Sequence, residues 1–168
     1  RITHEVKVDV IEELLKEESC FVLRAEDRAD MFAQVYKKLL EQGLVAAGFL
    51  DQVVDREEDF PTGLASCNLA PGLPNLAFPH TEGCFVKQQR VVPIKLLAPV
   101  SFKSMVDPSR ELPVGFCFML LDQKADGQAE LLARTMTFLS QAEPAALSRI
   151  FAQTDPAGLY SALREEGF

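Results

Sequence analysis

Leu112-Pro113-Val114-Gly115-Phe116-Cys117-Phe118-Met119-Leu120-Leu121 contains no charged and no hydroxyl-bearing side chain. Successive side chains of a strand point to opposite faces, so a strand with one wet face alternates apolar and polar residues. A run that is apolar at every position reads instead as a strand covered on both sides. It is far shorter than the roughly 20 apolar residues a helix needs to span a bilayer, so it belongs to a protein core. Both faces of that strand need covers, and the flanking sequence supplies them. Downstream, helices are expected over 127–141, 144–152 and 155–165, the last opened by the N-cap and N1 pair Asp155-Pro156.

Upstream come two strand candidates, Arg90 to Leu97 and, after Pro99, Val100 to Phe102. Shorter extended runs occur at Leu76-Ala77-Phe78 and Cys20-Phe21-Val22-Leu23. Between those short runs lie two helices. Asp27 caps the first, Met31, Phe32, Val35, Tyr36, Leu39 and Leu40 form its apolar stripe, and Gly43 closes it. The second carries Phe49, Leu50, Val53 and Val54 on one face and stops near Pro61. Residues 61–75, rich in Pro, Gly, Ser and Asn, read as a loop, and residues 6–17 show a further helical rhythm. The order predicts an α/β (α+β) fold with a single mixed β-sheet flanked by helices on both faces. The expected organisation is one domain over 19–168, with 1–18 as an N-terminal helical extension.

Composition narrows the function. Of 168 residues, 48% are hydrophobic and 25% charged, the balance of a water-soluble globular domain. The formal net charge is −8 and no basic block occurs, which argues against nucleic acid, whose binding needs several Lys or Arg against phosphates. No basic flank leads into an apolar run near the start, so no secretory signal is read and a cytoplasmic location is expected; the sequence opens on Arg1, so an upstream segment is open. Cys20, Cys67, Cys84 and Cys117 form no C-x-x-C pair and are expected to be buried thiols. Cys67, His80 and Cys84 fall close together, but their spacing matches no standard zinc finger or ribbon.

The chain has two histidines. His4 has no evident partners. His80 follows Phe78-Pro79 and precedes Thr81. Proline fixes φ and lacks an N–H, so it ends the preceding strand and leaves the next side chain at a strand terminus. Imidazole there is neutral and nucleophilic near neutral pH and suits a transient phosphoryl carrier. The alternative for a lone histidine is a structural role.

Arg56-Glu57-Glu58-Asp59-Phe60-Pro61-Thr62-Gly63-Leu64, followed by Phe78-Pro79-His80, resembles the mannitol/fructose-type enzyme IIA family of the phosphoenolpyruvate-dependent sugar phosphotransferase system. The likeness spans about residues 19–165 and includes Val91 to Met105, the apolar strand and the helix after Gln128. Within the family, the Phe-Pro-Thr-Gly form and the sequence around Gln128 are most similar to the galactitol-specific branch.

The resemblance implies that His80 is the phosphorylated nucleophile and that Arg56 stabilises the phosphoryl group, its planar guanidinium matching phosphoryl oxygens. Thr62 offers its hydroxyl either to the phosphoryl group or to the turn it opens, and Glu57 is expected to be structural, orienting Arg56. Many members carry a second active-site histidine where this chain has Gln128, which can donate a hydrogen bond but cannot titrate. The implied partners are the histidine-containing phosphocarrier protein as donor and a cysteine of enzyme IIB as acceptor, with membrane enzyme IIC beyond. No metal, nucleotide or other cofactor is implied. The surface around His80 is expected to draw on Leu76, Phe78 and Phe85, at least two of them as core. Two other readings compete: a regulatory module of the same type within a transcriptional regulator, and a hydrolase using His80 as base, for which Ser66 and Cys67 lack an elbow signature.

Overall fold

The computed structural model describes residues 14–168. His4 lies outside them, as does most of the helix expected over 6–17. Four strands, β1 (Phe21–Leu23), β2 (Asn75–Ala77), β3 (Arg90–Lys103) and β4 (Glu111–Leu121), form one sheet in the order β1-β3-β4-β2. The sheet is mixed: β1 runs parallel to β3, β2 parallel to β4, and β3 with β4 makes an antiparallel pair. Five α-helices accompany it among the described residues: α1 (Arg28–Glu41), α2 (Phe49–Asp59), α3 (Gly127–Gln141), α4 (Pro144–Phe151) and α5 (Pro156–Glu165). None is long and apolar enough to cross a membrane.

The helices begin where their caps demand. Asp27 accepts the Asp30 N–H at 2.8 Å, and Asp155 accepts the Gly158 N–H at 2.8 Å, each satisfying one of the orphan donors of a first turn. The apolar stripes of α1 and α2, including Met31, Phe32, Val35, Phe49 and Val53, cover one face of the sheet against Cys117, Met119 and Leu121. Leu131, Leu147, Phe151, Leu159 and Leu163 from α3, α4 and α5 cover the other, against Phe116, Phe118 and Leu120. β4 therefore feeds both cores with alternate side chains, which is why it carries no polar residue beyond Glu111, its exposed first position. Leu14 and Leu15 are buried with the second group.

The two strands expected on either side of Pro99 are one. β3 runs through, but its pairing with β4 is interrupted: Lys95 faces Phe116, and the next partners are Val100 and Val114. Leu96 to Pro99 thus lie opposite the single residue Gly115, and β2 shifts register against β4 at the same level. This bulge reverses the alternation of β4, so that Leu112 and Val114 share a face with Cys117 instead of Phe116. The expectation for the cysteines is corrected in part: Cys20 and Cys117 are buried, whereas Cys67 and Cys84 lie in exposed single turns outside the sheet. Gly115 has no room for a side chain, since a Cβ there would lie 2.8 Å from Pro74 Cβ. Replacing Gly115 with Ala is therefore expected to cost about 1–3 kcal/mol of stability by overpacking, measured by denaturant unfolding.

Candidate functional site

The site is built where β2 ends. Pro79 cannot donate to the sheet, but its carbonyl accepts the Leu120 N–H at 3.0 Å, which fastens the turn to β4. Phe78 and Thr81 on either side are buried, at 0% and 1% exposure, so the segment is anchored before and after His80 while the imidazole itself is half-buried. His80 Nδ1 lies 2.9 Å from the Phe78 carbonyl oxygen. A carbonyl only accepts, so Nδ1 carries the proton and Nε2 keeps the free lone pair. Burial lowers the His80 pKa below its ordinary 6.5, and the Arg56 charge pushes the same way against the Phe78 hydrogen bond. The ring is thus held neutral, in one tautomer, at neutral pH.

His80 lines an open cleft of about 660 Å³ together with Arg56, Cys84, Asp126 and Gln128. Arg56 comes from the last turn of α2 and stacks its guanidinium over the Phe60 ring, 5.3 Å from the centroid. Its Nε is buried without a hydrogen-bond partner, and among the described residues no carboxylate pairs with it. A cation left in that state is open to an incoming anion. Gln128, in the first turn of α3, is buried and donates through Nε2 to the Asp122 carbonyl at 2.8 Å. Asp122 is itself buried, and its carboxylate accepts from Gln89 Nε2 at 2.6 Å and from the Lys124 N–H at 2.9 Å. Among the described residues no three His, Cys, Asp or Glu side chains gather into a metal-binding group.

Thr62 stands apart from the cleft. Its hydroxyl donates to the Glu57 carboxylate, 2.9 and 3.1 Å from the two oxygens, and accepts the Phe78 N–H at 3.0 Å. Glu57 also takes the Thr62 N–H at 2.7 Å. The expectation that Glu57 orients Arg56 is thereby replaced: Glu57 faces inward, 2% exposed, and fastens Thr62. Burial drives its pKa from the ordinary 4.5 up to about 7, overriding the Thr62 hydrogen bonds and the charge of Arg28. The Phe-Pro-Thr-Gly loop reaches this position because Gly63 abuts the sheet hairpin, where a Cβ would meet the Lys103 carbonyl oxygen at 2.5 Å. Leu76 and Phe78 are fully buried and Phe85 partly so, which makes them core rather than rim.

Sequence reasoning missed the link from Glu57 through Thr62 to Phe78, and the supports Gln89 and Asp122. The first had a signal in the pairing of a helix-end carboxylate with a nearby loop hydroxyl; the second pair had none, because Gln89 and Asp122 meet only through the β3–β4 register.

A family model described as "Phosphoenolpyruvate-dependent sugar phosphotransferase system, EIIA 2" matches residues 13–166. The chain belongs to that family. It shares its fold with IIA mannitol from Escherichia coli, at 17% identity over 89% of this chain and 98% of that one, TM-score 0.67. A complex of enzyme IIAMTL with phosphorylated enzyme IIBMTL from Escherichia coli matches at 16% identity over 90% and 97%, TM-score 0.68. The nitrogen regulatory protein IIA-Ntr of Neisseria meningitidis matches at 20% over 92% and 98%, TM-score 0.64. No relative among curated proteins matches the sequence. The fold class expected from the sequence, one mixed sheet between helices, is the fold these enzyme IIA structures share.

Glu57 makes stability depend on pH in a checkable direction. The folded chain holds the Glu57 proton to about pH 7, and the unfolded chain releases it near 4.5. Protonation therefore favours folding, and this contribution, about 3 kcal/mol, is complete below 4.5 and lost as pH rises through 7. Unfolding titrations of wild type and Glu57→Gln should diverge accordingly, the variant gaining relative stability between about pH 4.5 and 7. A difference that stays constant over that range would mean Glu57 titrates normally.

Proposed function

We propose that this enzyme IIA domain carries a phosphoryl group on His80 Nε2, taking it from the phosphohistidine of the histidine-containing phosphocarrier protein and passing it to a cysteine of an enzyme IIB. The observation that carries the reading is the Nδ1 contact with the Phe78 carbonyl, which leaves Nε2 as the nucleophile of a ring that shares a cleft with Arg56. In the first transfer the Nε2–P bond forms as the donor's N–P bond breaks, and the donor nitrogen keeps the electron pair. In the second, an enzyme IIB thiolate takes the phosphorus and Nε2 recovers its lone pair. Little covalent work falls to the protein, so positioning and charge stabilisation dominate. Arg56 supplies a fixed positive charge to the phosphoryl oxygens. Gln128 stands where other members have a second histidine and offers no titrating group, so a single histidine does the chemistry.

The transfers take place in the cytoplasm, with membrane enzyme IIC as the eventual sugar translocator. Phe60-Pro61-Thr62-Gly63 and the sequence around Gln128 favour a galactitol-type system. A second reading, a regulatory role in which the phosphorylation state is the output, is favoured by the likeness to the nitrogen regulatory IIA fold. The two part on whether the phosphorylated domain discharges to an enzyme IIB.

The test is phosphoryl transfer followed by intact-mass spectrometry. Wild type mixed with phosphorylated carrier protein should gain one phosphate, and His80→Ala, still folded, should gain none. Arg56→Ala should slow the gain by about 10²-fold, the loss typical of removing one transition-state charge partner. A His80→Ala protein that still takes up phosphate overturns the assignment.

A further inference from the structure

We propose that Glu57 and Thr62 are positioning residues for His80, acting through the backbone of Phe78 and not through the phosphoryl group. The proposal rests on the reading of His80 as the phosphoryl acceptor and adds what holds its tautomer. Phe78 is gripped on both sides. Its N–H donates to Thr62 Oγ1 at 3.0 Å, and its carbonyl receives His80 Nδ1 at 2.9 Å. The N–H and carbonyl of Leu76 bond Leu64 on the edge away from β4, and the Phe78 N–H, two residues on, faces that same edge, where the Thr62 hydroxyl takes it.

The direction of this chain is set at Phe78. A backbone N–H can only donate, so the Thr62 oxygen spends a lone pair on it and turns its hydrogen toward the Glu57 carboxyl group. Glu57 holds both the N–H and the hydroxyl of Thr62 within 3.1 Å. That leaves the threonine neither a rotamer change nor a spare donor for a ligand. Two further anchors complete the frame: the Pro79 carbonyl on the Leu120 N–H, and the backbone of Gly63 on Lys103 and Met105. The result is a rigid path from the buried end of α2 to the imidazole. If the Phe78 N–H lost its partner, residues 78–80 could rotate, and the carbonyl that selects the Nδ1–H tautomer would turn away. Part of the His80 population would then carry its proton on Nε2, where it blocks attack.

The experiment combines ¹⁵N spectra of the His80 ring with the rate of phosphate uptake from phosphorylated carrier protein, in wild type, Thr62→Val and Thr62→Ser. Wild type should show the Nδ1–H tautomer. Thr62→Val, close in shape but without the hydroxyl, should show a tautomer mixture and a 10- to 100-fold slower uptake, roughly the effect of losing an outer support of an active group. Thr62→Ser should restore both. Should Thr62→Val fail to fold, Glu57→Leu keeps the hydroxyl but removes both oxygens that hold Thr62, and the same two shifts are expected there. A folded Thr62→Val with wild-type ring signals and rate overturns the proposal, as does a Thr62→Ser protein as impaired as Thr62→Val. If wild type takes no phosphate on His80, the acceptor reading fails, and the ring spectra alone still decide whether Thr62 sets the tautomer.

Discussion

The hydrogen bond from His80 Nδ1–H to the Phe78 carbonyl is the contact on which the rest depends, because it turns a histidine at a strand end into a nucleophile of known polarity. An imidazole free to exchange tautomers would present a proton at Nε2 part of the time. A bond to its own backbone two residues back removes that freedom without using a second side chain. It works only if the backbone itself is immobile, and much of the fold serves that end. β4 pairs with β2, packs both cores and takes the Pro79 carbonyl, so the turn bearing His80 is tied to the most buried strand of the molecule.

Electrostatics completes what geometry begins. Burial and the nearby Arg56 hold His80 neutral, and Arg56 waits with a buried Nε that the protein leaves without a partner. Arg28 and Lys103, by contrast, are both paired with Glu58. Arg56, in the cleft with His80, is thus kept without a carboxylate partner among the described residues, and a phosphoryl group would bring the oxygens it lacks.

Much of this was legible in the sequence, for reasons that can be named. The apolar run at 112–121 could only be a doubly covered strand, and the caps at Asp27 and Asp155 marked real helix starts. Pro79 before His80 marked the strand end, and Arg56 and His80 do share a cleft. What escaped depends on register and on side-chain direction. The bulge opposite Gly115 merges what Pro99 seemed to divide, because pairing with β4 resumes beyond it. Glu57 and Arg56 are neighbours in sequence but, one step apart on a helix, point about 100° apart, so one faces the core and the other the cleft. Local pattern does not encode the folded meeting of Gln89 with Asp122.

The central claim is that Nε2 of His80, and no other atom, accepts the phosphoryl group. The most direct measurement is the ³¹P–¹⁵N coupling in the phosphorylated, histidine-¹⁵N-labelled protein. The coupling should appear at the Nε2 resonance of His80, with Nδ1 still protonated. A phosphorus coupled to Nδ1, or one showing no histidine coupling at all, would contradict the account.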